Sequence, residues 1–90
     1  MKTREEILER IKRMKQAAYE IKDEDPYTAQ DIEYGISALY EVLNISEDEV
    51  KGLLDKKEKA YDKYSYIEGY EKETDKLVQQ ISIIEWVLNV

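Results

Sequence analysis

Residues 61–70 read YDKYSYIEGY, four tyrosines in ten positions, in a chain that has eight tyrosines and no phenylalanine. Whether one helix runs through this stretch or two helices meet in it decides the fold. From Ser46 to the C-terminus there is no proline and no cluster of turn residues. With Val50 as position a of a heptad, the d positions are Leu53, Ala60, Ile67, Thr74, Ile81 and Leu88, an almost unbroken apolar line. The companions of that line sit at e early on (Leu54, Tyr61) and at g later (Tyr70, Leu77, Ile84). The seam therefore slides around the helix faster than a 3.5-residue repeat requires. The spacing predicts one long helix over 47–88, about 64 Å at 1.5 Å per residue, bent near Gly69. A full break at Gly69, giving four short helices, is the alternative.

Working back from that stretch, two shorter helices precede it. Thr3 with Glu6 forms a capping box, in which two amides left free at a helix start find partners. Ile7, Ile11, Met14, Ala18 and Ile21 then recur at alternating spacings of four and three, one apolar stripe of a helix over 4–22. Pro26 disfavours helical geometry at Asp25 and ends that helix. Asp25 or Thr28 can cap the next one, over 27–44, whose stripe is Ala29, Ile32, Ile36, Leu39 and Leu43. Ser46 with Glu49 is a second capping box and opens the third helix after a short turn. The expectation is a single all-α domain over 1–90: three antiparallel helices with coiled-coil-like packing, the first two lying along the third. Whatever part of the long seam they leave uncovered suits a homodimer.

Composition bounds the chemistry. Ninety residues hold one modest core. There is no cysteine and no histidine, so thiolate ligands, disulfides and the commonest general base are missing. The serines stand in no nucleophile-elbow context and the three glycines are isolated, so no phosphate loop is present. No apolar run approaches eighteen residues and no signal-peptide core follows Met1, and without cysteine a reducing cytosol is comfortable; the expectation is a soluble protein of a bacterial or phage-infected host cytoplasm with no membrane partner. The net charge of −7 is uneven. Residues 1–22 carry seven basic and four acidic side chains, residues 23–50 carry nine acidic and no basic ones, and residues 51–90 are nearly balanced. A single-sign segment repels nucleic acid and anionic lipid and favours a basic partner.

Two motifs carry resemblances. The pair EEILE (5–9) and EIKD (20–23) resembles the Mg²⁺-binding pattern of the all-α nucleotide pyrophosphohydrolases. That resemblance implies Glu5, Glu6, Glu9, Glu20 and Asp23 as ligands, although here one uninterrupted helix carries both halves. The stretch ALYEVLNISEDEVKGLL (38–54) resembles a helix-turn-helix, which implies a DNA-binding regulator built on residues 28–54. Its second helix would present Glu47, Asp48 and Glu49 to phosphates, against the electrostatic term that supplies most DNA affinity.

The acidic segment supports a third reading. With Ile32 at 0° and 100° per residue, the apolar stripe of the second helix spans about −20° to 60°, whereas Tyr27 and Tyr34 fall near 200–220°. Rigid amphipathic rings amid acids suit the centre of an interface with a basic partner. In the opening stretch Tyr61, Tyr64 and Tyr70 follow the seam, and only Tyr66 departs from it. The expected function is a non-catalytic acidic helical interaction module without cofactor or metal. It would act as a regulator or inhibitor occluding a basic, nucleic-acid-binding surface of a target protein. Tyr27, Asp31, Tyr34, Glu41, Glu47, Asp48 and Tyr66 are its candidate contact residues. In size and composition the chain resembles, as a class, the small acidic proteins that phages use against host defence nucleases, anti-CRISPR proteins among them.

Overall fold

The helix starts follow from their local chemistry. In the computed structural model, which describes residues 1–90, four helices form: α1 (Arg4–Ile21), α2 (Pro26–Val42), α3 (Glu47–Tyr64) and α4 (Glu71–Leu88). At α1 the Thr3 hydroxyl accepts the Glu6 amide at 3.2 Å and the Glu6 carboxylate accepts the Thr3 amide at 3.1 Å. Ser46 and Glu49 repeat this box at α3. Of the two caps expected for α2, Asp25 is the one used: its carboxylate takes the Thr28 amide at 3.1 Å and the Thr28 hydroxyl at 2.6 Å. Pro26 follows as the first helical residue, where a missing N–H leaves nothing unsatisfied. The hydrogen bonds from Thr3 and from Thr28 hold the carboxyls of Glu6 and Asp25 below their ordinary values.

The single helix expected over 47–88 is corrected to the broken alternative. Helix α3 ends at Tyr64, and after six intervening residues α4 begins and folds back along it. Gly69 makes the reversal with φ +92°, a conformation that costs a residue with a Cβ far more than glycine. The Tyr64 and Tyr70 rings stack across the turn at 4.8 Å between centroids. The physical reason is the sliding seam itself. A continuous helix would leave a long apolar line uncovered, whereas two helices with separate stripes cover one another. The chain itself thus covers part of that seam: Ile84 and Leu88 are buried and Leu53 and Ile81 half-buried, while Ile67 stays 43% exposed.

The chain forms two antiparallel hairpins, α1–α2 and α3–α4, which meet through α2 and α4. Those two central helices run in the same sense: the start of α4 lies by the start of α2, and their last turns share the core. The core gathers Ile7 and Ile11 of α1, Ile36, Leu39 and Val42 of α2, Val50 of α3, and Ile83, Ile84 and Val87 of α4. Lys2 closes that end, its amide donating to the Val87 carbonyl at 2.7 Å, and Trp86 lies between Lys2 and Arg10. Gly35 admits Met14 of α1, whose Cε lies 2.7 Å from where a Cβ would stand. Away from this core the α3–α4 hairpin is thinly packed, and its turn is exposed throughout residues 65–70.

Two glycines give a paired prediction. Gly52 lies inside α3 with open space around its Cα, whereas Gly69 has equal space but a left-handed backbone. Gly52→Ala is expected to raise stability by about 0.5–1 kcal/mol through helix propensity. Gly69→Ala is expected to lower it by about 1–2 kcal/mol through backbone strain. Thermal unfolding of the two variants checks the sign; a shift in the same direction for both would contradict this account of the turn.

Candidate functional site

Because α4 folds back, it covers part of the α2 face that the helical wheel directs away from the apolar stripe. Ala38, on that face, is fully buried, and Tyr34 is half-buried with Lys76 over its ring at 5.9 Å. Tyr34 therefore does not stand free on an outward face as its angle implied; Tyr27, two turns closer to the helix start, does, at 86% exposed.

A polar link sets how α4 sits on α2. Gln80 of α4 is 2% exposed, an unusual place for a glutamine. Its amide nitrogen donates to the Tyr34 carbonyl at 3.2 Å, and its amide oxygen accepts from Lys57 of α3 at 2.8 Å. Lys57 also pairs with Glu41 of α2 at 3.2 Å. Three helices are joined by these three bonds, and every buried side-chain polar atom has a partner.

Beyond Gln80 the first turns of α2 and α4 diverge and leave a cleft of about 720 Å³. Tyr27, Asp31 and Tyr34 line it from α2, Glu71, Lys72 and Asp75 from α4, and Pro26 and Gln30 complete it. The Asp31 carboxyl is pushed above its ordinary value, first by hydrogen bonding with the Asp75 carboxyl, then by desolvation and by the negative charge of Asp75. Two carboxyls lining one cleft favour any arrangement that brings positive charge between them.

The expected contact residues do not gather in one patch. Tyr27, Asp31 and Tyr34 share the cleft. Glu41 faces a second groove with Glu49, Gly52 and Leu53, and is held by Lys57. Glu47 and Asp48 are exposed at the start of α3, where Glu47 lies 3.5 Å from the N-terminal ammonium. Tyr66 projects from the α3–α4 turn at 89% exposed, while Tyr61 and Tyr64 are half-buried along the hairpin. Sequence reasoning missed Glu71, Lys72 and Asp75, which lie some forty residues from their α2 neighbours and carry no motif. The break at Gly69 was the only signal able to place them there.

The carboxylates of the pyrophosphohydrolase-like pattern are spread along α1. Glu6 is engaged in its cap, Glu9 pairs with Arg13 at 3.2 Å, and Glu20 accepts from Gln16 at 3.1 Å. No three acidic side chains anywhere in the chain come close enough to share a metal ion. No helix is long and apolar enough to cross a membrane. Fold and site together define a small all-α protein of two helical hairpins with an acidic, tyrosine-walled cleft between them. No family model matches the chain, and comparison with curated proteins and with solved structures finds no significant match.

Proposed function

We propose that this protein is a non-catalytic acidic interaction module that binds a basic protein surface and so keeps nucleic acid from it. The observation that carries the reading is the unneutralised charge of residues 23–50. Of the nine acidic side chains there, only Glu41 and Glu47 have an ion-pair partner. Asp23, Glu24, Glu33 and Asp48 are exposed with no cation beside them, and Asp25 and Glu49 are exposed while capping helices. Such a field speeds encounter with a basic surface and competes with phosphates for it. The reading needs no second copy of the chain and fits an inhibitor acting in the cytoplasm, a phage-type counter-defence protein being one concrete form. The helix-turn-helix reading gains less support, because α2 packs on α1 and α4, and α3 packs on α4, rather than on one another.

The test is competition. Proteins captured by the tagged chain are purified, and their binding to nucleic acid is measured with and without it at low and high salt. Displacement of nucleic acid that weakens steeply with salt, and weakens further when Asp23, Glu33 and Asp48 are changed to their amides, is the expected result. A captured partner whose nucleic-acid binding is indifferent to the chain would remove the proposal.

A further inference from the structure

We propose that the cleft between the first turns of α2 and α4 receives a single arginine side chain of the partner protein, its guanidinium between the Asp31 and Asp75 carboxylates and its plane against the Tyr27 ring. The inference rests on the reading that the partner presents a basic surface, and it names the place and the chemistry of the central contact.

Three observations converge. The first is shape and charge: the cleft is walled by two tyrosines and carries Asp31, Glu71 and Asp75 against one lysine, Lys72. The second is the carboxyl pair: Asp31 of α2 and Asp75 of α4 line the same cleft, and no cation of this chain forms an ion pair with either. The third is the state of the tyrosine rings. Tyr34 and Tyr40 of α2 already have Lys76 and Lys15 over them, at 5.9 and 5.1 Å, and so do Tyr19 and Tyr64 with Lys22 and Lys63. Tyr27 has none, and it is the most exposed ring on α2. The chain thus uses cations on tyrosine faces repeatedly and leaves one face open beside an uncompensated pair of carboxylates.

Arginine fits this better than lysine. Its planar fork can donate to two carboxylates at once and still stack on a ring, whereas an ammonium is a strongly hydrated point charge without a flat face. Stacking of a cation on an aromatic face strengthens when water is excluded, which the cleft favours.

The experiment uses the full chain, isotope-labelled, titrated at low salt with hexa-arginine and separately with hexa-lysine while backbone amide shifts are followed. The expected result is a shift pattern centred on residues 27–34 and 71–75 with hexa-arginine. Hexa-lysine should bind at least several-fold more weakly, and Tyr27→Ala and Asp75→Asn should each weaken hexa-arginine by roughly tenfold. Both positions are exposed, so unchanged spectra elsewhere report an intact fold. Equal binding of the two peptides with shifts spread over residues 23–25 and 47–49, unaffected by Tyr27→Ala, overturns the arginine site and leaves the acidic module standing. No binding of either peptide overturns both.

Discussion

Leu39→Ala should be the most damaging single truncation, removing about 2–5 kcal/mol of stability. Leu39 is 0% exposed at the centre of α2, in the one cluster to which all four helices contribute. Deleting its side chain removes apolar burial and leaves a cavity, because the neighbouring Ile7, Ile36, Val42 and Ile84 are themselves held by the cluster and relax only partly. A domain of this size has about 5–15 kcal/mol in total, so the loss is a large share of it. Each kcal/mol lowers Tm by roughly 4–8 °C in a domain of 60–100 residues. Ile84→Ala, from the α4 side of the cluster, should behave alike. Tyr66→Ala, at the exposed turn, should change stability by less than about 0.5 kcal/mol. Calorimetry or urea unfolding of the three variants distinguishes a core shared by the two hairpins from hairpins that fold independently. In the second case Leu39→Ala would leave part of the transition untouched.

Lys57→Met comes second, with a loss of about 1–3 kcal/mol. The Lys57 side chain is only 13% exposed and ends between Gln80 of α4 and Glu41 of α2. Without its ammonium, the Gln80 amide oxygen is left buried with no donor, and Glu41 loses its ion pair. The price of an orphaned buried acceptor exceeds the modest net worth of the bond itself. The double variant Lys57→Met/Gln80→Leu removes the orphan as well as its partner and should recover part of the loss. Urea unfolding of the two single variants and the double one gives the coupling directly. Additive losses would show that Lys57 and Gln80 do not act as a pair.

These two predictions draw on different kinds of information. Leu39 and its stripe are legible from the spacing of apolar residues along α2, as are Ile7 and Ile11 along α1. Lys57 and Gln80 give no such sign. In the heptad count Lys57 is merely a charged residue at an a position, and Gln80 is one of many polar residues in the second half of the supposed long helix. Only the fold-back of α4 brings them together beneath Tyr34.

The same division runs through the candidate site. Tyr27 and Tyr34 stood out because a helical wheel separates them from the core stripe of α2, and Asp31 as one of the acids of the same segment. Their partners Glu71, Lys72 and Asp75 did not, and the wheel also placed Tyr34 too far from cover because it cannot know which helix will lie against that face. The sequence by itself determined the all-helical class, the three capped helix starts, the apolar stripes and the acidic block. Each of these depends on contacts within about one helical turn or on composition alone. Tertiary structure alone decided that the chain reverses at Gly69, that α4 lies on α2, and that two carboxyls and an open tyrosine ring share one cleft. Those outcomes depend on which buried surface competes best among distant segments, and no local spacing records that competition.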